Sequence, residues 1–226
     1  MKKWEDLPEE FQNETVKVYY NGLKKKSISR ILKRLFDIVC SLMLIVLLSP
    51  VMLVIGIWIK IDSKGPVFYK SLRVTRYNRD FKILKFRTMV ADADKKGALI
   101  TVSGDNRITK VGEKIRSSRL DELPQLFNVL KGDMSFVGTR PEVRKYVDMY
   151  TEEMMATLLL PAGITSRASL AFRDEDEKMS DLINKGMTVD QAYVSEILPQ
   201  KMEYNLDYLK DFTFLTDILI CIKTVI

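Results

Sequence analysis

Histidine is absent from this 226-residue chain, which removes the side chain that most often serves as general base or metal ligand near neutral pH. Acid–base, nucleophilic or metal chemistry therefore falls to carboxylates, lysines, cysteines or hydroxyls. Cysteine is nearly absent as well. Cys40 and Cys221 are the only two, and both lie in apolar stretches far apart in sequence. They read as small buried apolar residues, not as a disulfide framework or a metal centre. Aromatic residues make up 9% of the chain and are not interleaved with its basic residues, so the stacking platform of a single-strand nucleic-acid binder is missing and no nucleic-acid partner is expected. There are no internal repeats and no low-complexity tracts. What is present is positive charge: 36 Lys and Arg against 30 Asp and Glu, a net +6. That balance points to an anionic partner, either a phosphorylated ligand or an acidic membrane surface.

Residues 38–59 form an apolar run of about 22 residues, interrupted by Ser41, Ser49-Pro50 and Gly56. It starts too far from the N-terminus for a signal peptide and lacks a small-residue cleavage site. As a straight helix it could cross a bilayer, but two features oppose a simple span. Pro50 sits mid-run, where the missing N–H and the ring clash kink a helix. Positive charge flanks both ends, with Lys24, Lys25, Lys26, Arg30, Lys33 and Arg34 before and Lys60 and Lys64 after. The positive-inside tendency keeps both ends cytoplasmic. A re-entrant helix bent at Ser49-Pro50 satisfies both observations; a bitopic span is the alternative. A buried helix of a soluble protein would need the polar face that this run lacks.

The expected architecture is α/β, mostly helical with short strands. Residues 1–27 form a polar extension with a short amphipathic helix over 7–20, residues 28–62 the membrane helix, and 63–226 a cytosolic catalytic domain. Residues 66–74 and 81–87 alternate as two strands joined by a turn at Asn78-Arg79-Asp80. This hairpin gathers Arg73, Arg76, Arg79, Lys82, Lys85 and Arg87 into a basic face, suited to solvent, phosphate or anionic lipid headgroups. Short helices are expected over 91–96 and 110–118, then further helices around 142–159 and 190–201, with the acidic run 174–177 as a solvated loop. The apolar tail 208–226 is spaced for a helix that lies in the membrane interface or completes the core. It permits a homodimer without requiring one.

The acidic pair Asp121-Glu122 lies in Arg116-Ser117-Ser118-Arg119-Leu120-Asp121-Glu122-Leu123-Pro124-Gln125-Leu126. Proline is tolerated in a helix only in the first turn, so the pair opens a helix whose free N–H groups favour ionised carboxylates. Adjacent helical residues point about 100° apart, so the two serve different partners. For a pyrophosphate-linked ligand, one carboxylate could attack phosphorus while the other holds a divalent cation. Arg116 lies five positions before Asp121, and Arg140 comes from the turn after the next strand. With Lys85 and Arg87 they are the candidate phosphate contacts. By itself, an Asp-Glu pair opening a helix is most often a dipole complement.

From about Lys33 to the C-terminus, the chain closely resembles the bacterial sugar transferases, the monotopic polyprenyl-phosphate phosphoglycosyl transferases. The resemblance rests on Lys33-Arg34-Leu35-Phe36-Asp37, Ser49-Pro50, Gly65-Pro66-Val67-Phe68, Lys85-Phe86-Arg87-Thr88-Met89, Asp105-Asn106-Arg107-Ile108-Thr109, Leu120-Asp121-Glu122-Leu123-Pro124-Gln125-Leu126, Asn128-Val129-Leu130-Lys131-Gly132-Asp133-Met134-Ser135 and Arg140-Pro141. It implies a re-entrant hairpin in the inner leaflet of the cytoplasmic membrane, Mg²⁺ as cofactor, and a UDP-sugar and undecaprenyl phosphate as substrates. Asp121 would attack the β-phosphate, release UMP and hold a phosphosugar, which the polyprenol phosphate then takes to begin a surface glycan. Glu122 would position the metal or the acceptor, and Arg116 and Arg140 would grip phosphate oxygens.

The chain departs from the family pattern at Thr139, at Gly163-Ile164-Thr165-Ser166-Arg167, at Arg119 and in the first hairpin turn. These departures leave the donor sugar open. It also lacks the multi-span region of longer relatives and resembles the minimal catalytic form. A glycosyl transferase that releases UDP is the runner-up, with Asp92-Ala93-Asp94 as its metal motif. A non-catalytic membrane-anchored assembly protein is the third reading.

Overall fold

A computed structural model describes residues 1–91, 93 and 105–225. The helix expected over 91–96, the Asp92-Ala93-Asp94 motif and the loop at Ser103-Gly104 therefore fall at least partly outside the described residues. The chain is mostly helical with short strands, and one helix dominates. Helix α2, Ser27–Asp62, is a single element of 36 residues with Pro50 inside it. Among the described residues it is the one helix long and apolar enough to cross a membrane. The adjacent serine compensates the proline: Pro50 cannot donate to the carbonyl of Val46, and the Ser49 hydroxyl donates to that carbonyl instead, at 2.8 Å.

The two ends of α2 are fastened to the rest of the protein, and the middle is not. Near the N-terminal end, Lys33 donates to the Val137 carbonyl at 2.7 Å and to Asp217 at 2.8 Å. Arg34 donates to the Val129 and Leu130 carbonyls, and Asp37 accepts from the Ser135 hydroxyl and the Phe136 N–H. Towards the C-terminal end, Ile55 and Ile59 are buried with Phe86, Val111 and Ile115. No residue between Ser41 and Ile55 is buried, and Val46, Leu47, Leu53 and Val54 are each more than 60% exposed. So much contiguous exposed apolar surface is abnormal in water and normal in lipid.

The expected hairpin forms from β1, Phe68–Thr75, and β2, Arg79–Phe86, paired antiparallel from Phe68↔Phe86 to Thr75↔Arg79. Its basic residues do not share one face. Residues directly opposite each other lie on the same side of a sheet. Tyr69, Arg73, Arg79 and Lys85 therefore join the buried Phe81 and Ile83, while Lys82 pairs with Leu72 on the other side. Arg76 sits in the connecting turn. Strands β3, Met134–Val137, and β4, Ala162–Thr165, form a separate parallel pair. Gly163 is required there by close approach, because a Cβ would fall 2.2 Å from the backbone nitrogen of Gly138. That contact fixes the turn leading into Arg140.

Several local expectations are corrected. The first helix, α1, runs Glu14–Lys25 rather than 7–20, because Asn13 caps it by accepting from the Val16 N–H and Pro8 interrupts the stretch before it. The N-terminal extension is no loose appendage: Leu7, Phe11, Val16, Tyr19, Tyr20 and Leu23 join the main core with Val137, Leu209 and Phe212. The expected helix at 142–159 is only α5, Arg144–Val147, followed by a 3₁₀ segment, Met154–Leu159. Acidic residues 174–177 are not a loop; they begin a helix, where negative charge complements the dipole.

The observed helices in order after α2 are α3, Lys110–Ser117; α4, Gln125–Lys131; α5; α6, Arg167–Ala171; α7, Glu175–Asn184; α8, Val189–Ala192; α9, Leu198–Asp211; and α10, Phe214–Val225. The segment expected as one helix at 190–201 is α8, a π-helical turn over Tyr193–Ile197, and the start of α9. The tail divides between the core and the surface. Phe212 and Ile220 are buried in the core, whereas Leu215, Leu219 and Ile222 of α10 are exposed.

Candidate active site

Asp121 and Glu122 do not open α4. They sit in a 3₁₀ turn of their own, Leu120–Glu122, entered through Arg119 in the left-handed conformation at φ 54°. Pro124 then caps α4, and Gly132 at φ 92° ends it. This turn leaves Asp121 buried and Glu122 half-buried against β2. Asn128 of α4 holds β2 in place by accepting from the Leu84 N–H and donating to the Lys82 carbonyl. Lys85, the next residue, therefore reaches both carboxylates. Its Nζ lies 2.7 Å from Glu122 Oε1 and 3.6 Å from Asp121 Oδ2.

Arg140 arrives from the other side. Lys33 and Asp37 grip β3 at Val137 and Phe136, and the turn beyond β3 brings Arg140 Nη2 to 3.1 Å from the same Glu122 oxygen. Two cations on one oxygen leave Glu122 Oε2 uncommitted among the described residues.

The two carboxylates have opposite electrostatics. Burial disfavours the charge on Glu122, yet Arg140 and Lys85 outweigh it and hold the group down at about 2. Burial raises the pKa of Asp121, Lys85 pulls it down, and the neighbouring charge of Glu122 pushes it up again, for a net rise. One carboxylate is a fixed anion. The other is poorly solvated and poorly paired, the condition in which a carboxylate is reactive.

The basic residues expected at the site separate into three groups. Lys85 and Arg140 contact the pair. Arg116 is exposed and acts on Asp121 through its charge. Arg87 serves elsewhere. It is buried, and it donates to the Ser63 and Lys64 carbonyls and the Ser63 hydroxyl. It braces the chain after α2, and its guanidinium Nη atoms are committed there instead of to phosphate.

Adjacent carboxylates suit Mg²⁺, which takes one or two protein carboxylates and completes its shell with substrate phosphates and water. Asp121 with Glu122 fits that requirement. No group of three or more potential protein ligands stands together among the described residues.

A family model described as bacterial sugar transferase matches residues 28–226. The chain belongs to the bacterial sugar transferase family. Three curated relatives extend the comparison. The chain is 39% identical over 197 residues to the UDP-N-acetylgalactosamine-undecaprenyl-phosphate N-acetylgalactosaminephosphotransferase of Aeromonas hydrophila, covering 86% of this chain and 43% of the relative. It is 33% identical over 202 residues to the UDP-glucose:undecaprenyl-phosphate glucose-1-phosphate transferase of Klebsiella pneumoniae, with 88% and 40% covered. Against the undecaprenyl-phosphate galactose phosphotransferase of Salmonella typhimurium, it is 41% identical over 171 residues, with 69% and 35% covered. The chain thus spans about two fifths of the length of these curated relatives. Their names carry three different sugars.

Proposed function

We propose that the chain transfers a sugar phosphate from a UDP-sugar to undecaprenyl phosphate, releasing UMP and starting a surface glycan. One observation carries the reading: a buried, poorly paired Asp121 stands beside a Glu122 that Lys85 and Arg140 keep ionised. In the first step an Asp121 oxygen attacks the β-phosphorus. A P–O bond forms to the carboxylate, and the bond to the bridging oxygen breaks, so that UMP leaves with the electron pair. In the second step a phosphate oxygen of undecaprenyl phosphate attacks the same phosphorus and expels the Asp121 carboxylate. Lys85 offsets negative charge beside Asp121, and Arg140 and Arg116 supply positive charge for phosphate oxygens. Mg²⁺, held by Asp121 and Glu122 when bound, would neutralise charge on the diphosphate.

Nucleotide release from a panel of UDP-sugars, with undecaprenyl phosphate and Mg²⁺, tests the reaction. UMP from one donor is expected and names the sugar. UDP would mean that the sugar alone is transferred, and the runner-up would replace this reading.

The membrane arrangement we propose is re-entrant, with α2 bent at Ser49-Pro50 and the catalytic body on the cytosolic face of the cytoplasmic membrane. Arg34 and Ile55 would be about 32 Å apart on a straight helix. Both ends nevertheless meet neighbouring elements of one body, while no residue between Ser41 and Ile55 is buried. The exposed apolar residues of α10 would lie in the same interface, next to Phe36, whose ring packs 5.8 Å from Phe214. Cysteines introduced at Lys26 and Lys64, with Cys40 and Cys221 replaced by serine, should both react with an impermeant maleimide from the cytosolic side alone. Labelling from opposite sides would establish a bitopic span instead.

A further inference from the structure

Strand β1 brings one more cation to the site than the acidic pair engages. Arg73 lies on the hairpin face that carries Lys85, with Tyr69 directly opposite Lys85 and Arg73 opposite Phe81. The segment bearing Arg140 is fixed against this strand. The Val74 N–H donates to the Glu142 carbonyl at 3.0 Å, and Arg73 Nη1 reaches the Pro141 carbonyl at 3.5 Å. Arg73 and Arg140 are therefore neighbours, close enough for each charge to oppose the other.

A half-buried guanidinium beside another guanidinium is a costly placement unless an anion joins them. Glu142 is the nearby carboxylate and partly compensates, but it accepts a hydrogen bond from the buried Tyr193 hydroxyl. Arg140 and the phenols of Tyr69 and Tyr193 are the other titratable groups that bear on Arg73. For its five N–H donors, Arg73 makes a single long hydrogen bond among the described residues. Nearby arginines are better satisfied: Arg79 pairs with Asp133 at 2.7 Å, Arg144 with Asp80 at 2.6 Å, and Arg140 with Glu122 at 3.1 Å.

We propose that Arg73 is a phosphate-binding residue of this site, its open guanidinium fork taking two oxygens of a substrate phosphate beside Arg140. A planar fork matches phosphate in a way that an ammonium cannot. Only the naming of the substrate rests on the phosphosugar-transfer reading. The phosphate belongs either to the nucleotide diphosphate of the donor or to the lipid acceptor, and kinetics separate the two.

The first test is titration of the full chain in lipid nanodiscs with inorganic pyrophosphate, comparing wild type, Arg73→Met and Arg73→Lys. Arg73→Met should weaken binding at least about tenfold. Arg73→Lys, which keeps the charge and loses the fork, should fall between the two, and it decides the matter if the methionine variant does not fold. Binding within twofold of wild type in every folded variant would overturn the proposal, whatever happens to the melting temperature. In steady-state UMP release, a KM raised for the UDP-sugar alone would assign Arg73 to the donor diphosphate, and a KM raised for undecaprenyl phosphate alone to the acceptor. Absence of UMP from the wild type would sink the phosphosugar reading, while the pyrophosphate titration would still judge Arg73.

Discussion

Asp121→Asn is expected to lower UMP release by at least about 10³-fold without lowering the melting temperature. The loss follows from chemistry: an amide cannot form the acyl phosphate, and Glu122, the other carboxylate of the turn, is held by Lys85 and Arg140. The stability expectation follows from burial. The pKa of Asp121 is raised because its charge is poorly solvated, with Lys85 only partly offsetting the burial. For a carboxylic acid, a folded-state pKa above the unfolded one means that ionisation costs stability at neutral pH. Asparagine keeps the shape and removes that cost. Lys85 is not orphaned by the change, since it retains Glu122 at 2.7 Å. The advantage of the variant should shrink as pH falls through the pKa of Asp121, where the wild-type group becomes neutral too.

Glu122 works in the opposite direction. Its pKa is held at about 2, so its contribution is present above the ordinary Glu value of about 4.3 and is lost as pH falls towards the folded value. Thermal melts of both chains from neutral to acid pH, beside the nucleotide assay, check all of this. A marked drop in the variant's melting temperature would make Asp121 a structural residue and remove the strain on which its proposed reactivity depends.

The second large effect is expected where α2 meets the body. Lys33 and Asp217 form an ion pair at 2.8 Å with both side chains almost wholly buried. Tyr208 donates to the other Asp217 oxygen at 2.6 Å, and Lys33 also holds the Val137 carbonyl at 2.7 Å. Replacing one partner, as in Lys33→Met or Asp217→Leu, leaves a buried charge without its counter-charge and should cost roughly 3–5 kcal/mol. The double variant should recover part of that loss, because the two charges of the pair go together, while the Tyr208 hydroxyl, the Val137 carbonyl and the buried Asp37 each lose a partner. A double-mutant cycle in thermal melts measures this coupling, and additive single effects would show that the pair is not coupled. The singles should also slow UMP release, since the same lysine positions β3 and, through it, Arg140.

Much of this was legible in the sequence because it depends on local pattern. The long apolar run with its Ser-Pro pair and the alternating hairpin are local devices, and each stands where pattern put it. The acidic pair was recognisable by its setting, although its position in a separate 3₁₀ turn was not. Other features depended on partners remote in sequence. The polar look of residues 1–27 concealed Phe11 and Leu23, which are fully buried, because a few well-spaced apolar residues suffice once a core is available to receive them. The equal basicity of Arg73, Lys82, Lys85 and Arg87 concealed different roles. Strand alternation separated Lys82 from the others, and the carbonyls after α2 claimed Arg87.

By itself, the sequence determined the kind of chemistry available, carboxylates among cations with no histidine, and the presence of one lipid-compatible helix. Those follow from which side chains exist and how they repeat along the chain. Tertiary structure alone decided which carboxylate is held ionised and which is strained, and which arginine is brace, partner or open fork. Such differences arise from burial and from charges a few ångströms away, supplied by segments as distant as β2 and the turn after β3.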